Sequence, residues 1–216
     1  MRLFLLATLV CSAQTQITLV GDSTVAEGGG WGPGFRAALQ GKAEVRNFAR
    51  NGRSSKSFRD EGAWKPAIAG KANYILIQFG HNDCPGKGPA RETGPATTYR
   101  QNLTQYVTDA RAAGAVPVLV TSIVRRNFTI DNKIKADCLV PFVEQTRIVV
   151  KEMNTALIDL YTLTKELSEN IGPEASDSLG ALTADGKPDR THLGPEGQRR
   201  IGAIAAREFT RLFPAR

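Results

Sequence analysis

The chain has two histidines, His81 and His192, and His192 follows a carboxylate, Asp189, by three residues. A carboxylate within one turn of an imidazole can hold it in a single tautomer, leaving the other ring nitrogen to take a proton from a hydroxyl. Ser23 offers that hydroxyl. It stands in Gly21-Asp22-Ser23-Thr24, directly after the apolar run 17–20, with consecutive glycines following at 28–30. A serine is a weak nucleophile until a base removes its proton. Ser23, His192 and Asp189 therefore have the types needed to attack an ester carbonyl. Donors for the resulting oxyanion are available in the Ser23 N–H, the Gly52 N–H and the Asn82 side-chain amide. Glycine at 52 lets the backbone come close to a substrate. Plainer readings exist for each: Ser23 as a turn residue, His192 as a surface residue before a helix. His81 competes as base, or touches substrate from its own loop. Asp22 is expected to hydrogen-bond backbone amides and fix its turn.

These residues need a scaffold that gathers positions 23, 52, 82 and 192. Strand-like runs recur at 17–20, 44–48, 74–79, 116–122 and 156–160. Tyr74-Ile75-Leu76-Ile77 and Val118-Leu119-Val120 are apolar without alternation, which suits strands covered on both faces. Over 97–113, Tyr99, Leu103, Tyr106, Val107 and Ala110 share one helical face, and Gly114 ends the run. Further helices are expected over 137–153, with Pro141 tolerable in the first turn, and over 195–213, started by Pro195. The alternation predicts an α/β fold: a three-layer α/β/α sandwich on a five-stranded parallel sheet in the flavodoxin-like order 2-1-3-4-5. Ligands bind beyond the carboxyl ends of such strands. There the chain puts Gly21-Asp22-Ser23-Thr24, then 47–54, then Gly80-His81-Asn82-Asp83, with Asp189-Arg190-Thr191-His192 before the last helix. Loop-rich stretches are expected at 84–96, overhanging the site, and at 172–190.

In this order the four segments resemble the blocks of the SGNH (GDSL-type) hydrolase family. Gly21-Asp22-Ser23-Thr24 looks like its GDS block, Gly52 like its lone glycine, Gly80-His81-Asn82-Asp83 like its GxND block and Asp189-Arg190-Thr191-His192 like its DxxH block. Thr24 in place of leucine, Gly80-His81-Asn82-Asp83, the segment 47–54 and the segment 99–126 look more specifically like the rhamnogalacturonan acetylesterase branch. The likeness spans nearly all of 17–212. It implies Ser23 as nucleophile, His192 as base, Asp189 as orienting carboxylate, and an oxyanion hole of Ser23, Gly52 and Asn82, with no cofactor or metal. It also implies a carbohydrate esterase that removes O-acetyl groups from plant cell-wall polysaccharide, in the first place pectic rhamnogalacturonan. Acetylated xylan, a lipid or a thioester would keep the mechanism and change the substrate. A lipid enzyme should carry an apolar lid, whereas 84–96 is glycine, proline and charge. A carbohydrate-binding module would keep the fold without catalysis, yet every catalytic residue type is present.

With 216 residues, 41% hydrophobic and 23% charged, the chain suits one domain with one core. Residues 1–13 read as a secretory signal: Arg2, an apolar stretch over 3–10, then Cys11-Ser12-Ala13. The stretch is too short to span a bilayer. A lipid anchor on Cys11 is the rival, with Val10 a poor residue before it; a buried first strand is the other. The mature catalytic domain is then 14–216, secreted or periplasmic, off the membrane, and expected to be a monomer. Its cysteines, Cys84 and Cys138, form one disulfide or stay free; the sequence does not choose. Cys84 as a nucleophile fits less well than Ser23. The net charge of +7 is scattered, with no dense basic run, which argues against nucleic acid and at most suits an acidic polymer. Arg125-Arg126-Asn127 reads as a solvated loop or as reaching an acidic sugar chain. Trp31 and Trp64 read as core or as sugar platforms. Gly28-Gly29-Gly30 lacks both GxGxxG and a Walker lysine, so it marks no nucleotide site; it is expected to leave room for a bulky polymer. No metal-ligand spacing occurs, and no GxSxG elbow.

Overall fold

The continuously apolar runs form the middle of a parallel sheet. In the computed structural model, which describes residues 14–214, the strands are β1 (Thr15–Gly21), β2 (Ala43–Asn47), β3 (Tyr74–Gln78), β4 (Val116–Val120) and β5 (Ala156–Ile158). Their order is β2-β1-β3-β4-β5, all parallel. This is the expected three-layer α/β/α arrangement. The segment read as a signal, 1–13, lies outside the described residues.

Successive side chains of a strand point to opposite faces, and here both faces are buried. Ile75 and Ile77 of β3 and Leu119 of β4 pack into one layer with Phe58, Trp64, Tyr106 and Phe142. Leu76, Val118 and Val120 pack into the other with Trp31, Phe35, Ile201 and Phe209. The first layer holds α2 (Ser57–Asp60), α3 (Trp64–Ala69), α4 (Arg100–Ala112) and α5 (Leu139–Glu152). The second holds α1 (Gly32–Ala38), α6 (Leu160–Asp177) and α7 (Pro195–Leu212). Both tryptophans are core residues, Trp31 1% and Trp64 5% exposed, so neither is a sugar platform. α1 and α7 meet through glycine: a Cβ on Gly34 would lie 1.9 Å from the Gln198 carbonyl oxygen. That close approach fixes the first turn of α7, which starts three residues after His192.

The long helices lie where their periodicity puts them. α4 follows a π-helical turn over Pro95–Tyr99 and buries the expected face, Leu103, Tyr106, Val107 and Ala110. Gly114, at φ +80°, stands just past its end. α6 was not expected. Gly172 and Pro173 look like breakers, but they only kink it: Gly172 alone leaves helical geometry, at φ 80° and ψ 170°. The start of α6 also shortens the fifth strand, because Asp159 turns from strand to N-cap and accepts the Thr162 N–H. The loop expected over 172–190 is corrected accordingly. It contains the end of α6 and a two-stranded antiparallel ribbon, β6 (Gly180–Leu182) with β7 (Pro188–Leu193). Cys84 and Cys138 form a disulfide, Cα atoms 5.8 Å apart, tying the loop after β3 to the start of α5.

Candidate active site

Three of the expected segments leave the carboxyl ends of β1, β2 and β3, the fourth lies in β7 before α7, and together they frame one cleft of about 500 Å³. Ser23 lies on the turn after β1. Oδ1 of the buried Asp22 accepts the Thr24 N–H at 2.8 Å and the Thr24 hydroxyl at 2.7 Å, which sets the turn as expected. Behind it, Gln78 Nε2 donates to Thr24 Oγ1 at 2.6 Å, and Trp31 Nε1 donates to Gln78 Oε1 at 2.8 Å. This buried polar chain anchors the serine turn to β3 and to the second core layer. Burial pushes the Asp22 carboxyl up to about 6, against the opposing bonds from Thr24.

Gly52 and Asn82 are held to each other through Asp83. The Asp83 carboxylate accepts the Ser55 hydroxyl at 2.6 Å, the Ser55 N–H at 3.1 Å and the Thr93 hydroxyl at 2.9 Å. It thereby clamps the loop after β2 to the loop after β3. Burial raises this carboxyl too, to about 6. Gly52 adopts φ +77°, a conformation glycine takes without strain. Asn82 Nδ2 donates to the Arg53 carbonyl at 3.2 Å, which orients its amide and leaves it a second N–H. Among the described residues, neither the Ser23 nor the Gly52 N–H bonds a backbone carbonyl. Both line the cleft with Asn82.

Asp189 and His192 sit in β7, where positions three apart would ordinarily point to opposite faces. The pairing is irregular: Gly180 opposes Leu193 and Leu182 opposes Pro188, so two steps along β6 match five along β7. The extra residues bulge, and Asp189 Oδ1 fills the bulge by accepting the N–H of Thr191 at 2.8 Å and of His192 at 2.9 Å. The side chains then meet. His192 Nδ1 lies 2.7 Å from Asp189 Oδ2, and Nε2 lies 2.9 Å from Ser23 Oγ. Partial burial disfavours the Asp189 charge, but the His192 and Thr191 N–H groups and the imidazole outweigh it and hold its pKa below the usual range. A hydroxyl, an imidazole and an ionised carboxylate in line can generate an alkoxide-like nucleophile.

Three expectations need correction. His81 is 3% exposed and is not among the cleft-lining residues, so it is placed neither to touch substrate there nor to act as the base. The glycines at 28–30 do not simply open space. Gly28 is exposed, but a Cβ on Gly29 would lie 3.2 Å from His192 Cβ, and one on Gly30 would lie 2.3 Å from the backbone of Val25. Both therefore serve close packing. The basic pair after β4 is not solvated: Arg125 bonds Asp137 at 2.7 Å, and Arg126 is 1% exposed. Arg126 is the residue that sequence reading undervalued. Its one signal was its place beyond the end of a central strand.

Burial of the His81 ring, and the nearby Arg125 and His192 charges, push its pKa down to about 3. Neither ring nitrogen has a partner of good hydrogen-bond geometry among the described residues, and a backbone contact with Ile123 opposes the shift without cancelling it. The unfolded chain therefore binds a proton below the ordinary value of about 6.5 while the native protein refuses it. The stability tied to this group is complete above pH 6.5 and is lost as pH falls toward 3. Replacement by leucine removes that linkage. Between pH 7 and pH 4 the stability of His81→Leu relative to the parent should rise by about 3 kcal/mol, with esterase activity retained. Urea unfolding at both pH values checks it; parallel pH dependence of the two proteins contradicts it.

A model of the GDSL-like Lipase/Acylhydrolase family matches residues 19–200. The chain belongs to that family. As a GDSL-type hydrolase it is 35% identical to the rhamnogalacturonan acetylesterase RhgT of Bacillus subtilis, over 91% of this chain and 90% of that protein. Among solved structures, YxiM of Bacillus subtilis superposes with a TM-score of 0.79 at 25% identity, over 94% of this chain. The chain spans 58% of that structure's length. A catalytic mutant of Axe2, an acetylxylan esterase from Geobacillus stearothermophilus, shares the fold, with a TM-score of 0.68 at 16% identity over 94% of this chain and 95% of that one. This GDSL-type hydrolase is a carboxylic ester hydrolase. No helix among its described residues is long and apolar enough to cross a membrane.

Proposed function

We propose that this hydrolase removes O-acetyl groups from pectic rhamnogalacturonan outside the cytoplasm, through an acyl-enzyme on Ser23. The observation that carries the mechanism is the continuous line from Ser23 Oγ through His192 to Asp189, with bonds of 2.9 and 2.7 Å. His192 Nε2 takes the serine proton as Oγ attacks the acetyl carbonyl. The N–H groups of Ser23 and Gly52 and the Asn82 amide receive the oxyanion. His192 then hands its proton to the departing sugar hydroxyl. Water, deprotonated by the same nitrogen, releases acetate.

The cleft favours a short acyl group. Its walls are Gly28, Gly29, Asn51, Gly52, Asn82 and Ala181, beside the three reacting residues. Alanine is the largest apolar side chain among them, so a fatty acyl chain finds no apolar wall to be buried against. An acidic polymer is favoured by Arg91. Its guanidinium lies 3.9 Å from where a Gly52 Cβ would stand. Its Nε donates to the Lys87 carbonyl, and it has no carboxylate partner among the described residues. The relative named rhamnogalacturonan acetylesterase supports the same substrate.

Acetate release from acetylated rhamnogalacturonan and acetylated xylan, side by side, tests the reading, and the pectic polymer is expected to be preferred. Arg91→Ala should raise KM for the acidic polymer about fivefold, a rim-charge effect of about 1 kcal/mol, and leave p-nitrophenyl acetate hydrolysis within twofold. Preference for xylan, or an unchanged KM, contradicts the pectic assignment and leaves the esterase chemistry standing.

A further inference from the structure

We propose that Arg126 is a positioning residue that holds the Asp189–His192 segment in its reacting shape. This rests on the reading of Ser23, His192 and Asp189 as the reacting groups. Arg126 stands in the loop after β4 and grips that segment by three carbonyls. Its own N–H donates to Arg190 O at 2.8 Å. Its Nη2 donates to Asp189 O at 2.5 Å and to His192 O at 2.8 Å. The bulge explains the need. A bulged strand drops out of ladder register, and buried carbonyls require a donor from elsewhere. One guanidinium nitrogen with two N–H groups serves two of them at once.

The fold accepts a cost for this grip. Arg126 is 1% exposed, and its Nε and Nη1 have no partner among the described residues. A buried cation is expensive, and among the described residues no carboxylate side chain pairs with it; the grip is on backbone. Space is cleared as well. A Cβ on Gly180 would lie 2.7 Å from Arg126 Nη2 and 2.4 Å from Asp189 O. Glycine in β6, arginine after β4 and the bulge of β7 thus form one fitted unit, and its outer face carries the imidazole. Misplacement of reacting groups by about 1 Å costs about a hundredfold in rate.

Arg126→Met and Arg126→Lys test this, with kcat and KM on p-nitrophenyl acetate expressed per folded molecule and folding followed by near-UV circular dichroism. Arg126→Met is expected to lose about a hundredfold in kcat with KM within twofold. Added guanidinium should recover part of the loss. Arg126→Lys should fall between, since an ammonium at the end of a flexible stem cannot match the planar fork. A merely structural role would lower the folded fraction and spare kcat per folded molecule. Wild-type kcat in folded Arg126→Met overturns the proposal. If that variant does not fold, wild-type kcat in Arg126→Lys overturns it, and a kcat loss at constant KM supports it. Ser23→Ala separates the two levels: an active Ser23→Ala defeats the underlying reading, whereas an inactive one with unaffected Arg126 variants defeats only this inference.

Discussion

Asp189→Asn is expected to lower kcat by about ten-thousandfold while KM changes little. The substitution keeps the shape of the bulge. An asparagine Oδ1 can still accept the N–H groups of Thr191 and His192, as the aspartate does at 2.8 and 2.9 Å. The other atom changes its chemistry. Oδ2, 2.7 Å from His192 Nδ1, becomes an NH2 group. It can only donate, so the imidazole must accept at Nδ1 and carry its proton on Nε2. A protonated Nε2 cannot take the Ser23 proton. The loss therefore falls on the chemical step, because the cleft and its donors remain. Steady-state kinetics on p-nitrophenyl acetate, with circular dichroism as the check on folding, measures it. A loss smaller than tenfold means that Asp189 does not set the tautomer.

Much of this site was legible because its parts are local. Gly21-Asp22-Ser23-Thr24 and Gly80-His81-Asn82-Asp83 each follow an apolar run, and the parallel sheet brings the ends of such runs together. The spacing of Asp189 and His192 also showed, since both needs of the pair are met within four residues. What sequence hid depends on distance. His81 and Asn82 are neighbours, yet Asn82 lines the cleft and His81 turns into the core; periodicity in a short turn does not decide which way a side chain goes. Arg126 looked solvated because arginine usually is, and the carbonyls it serves lie more than sixty residues away. The disulfide between Cys84 and Cys138 was undecidable for the same reason: only the fold brings their Cα atoms to 5.8 Å. α6 was not read from the sequence, and Gly172 and Pro173, which stop most helices, bear only on its last turns. Here a single residue absorbs the kink and the helix resumes, with Pro173 in a first-turn position it tolerates.

Ser23→Ala should have the largest effect. Removing Oγ takes away the atom proposed to form the acyl bond, and among the described residues His192 Nε2 bonds no other hydroxyl. The fall in kcat is expected to be at least ten-thousandfold. The turn itself should survive, because Asp22 and Thr24 form its hydrogen bonds and the serine side chain contributes none of them. The most direct measurement is acetate release from acetylated rhamnogalacturonan by the wild type and Ser23→Ala at equal folded concentration, with mass spectrometry of rapidly quenched protein. The expected result is release by the wild type with an acetyl group on the peptide containing Ser23, and neither in the variant. Acetate released by Ser23→Ala at the wild-type rate, or an acetyl group found on another residue, would contradict the assignment of Ser23 as the nucleophile.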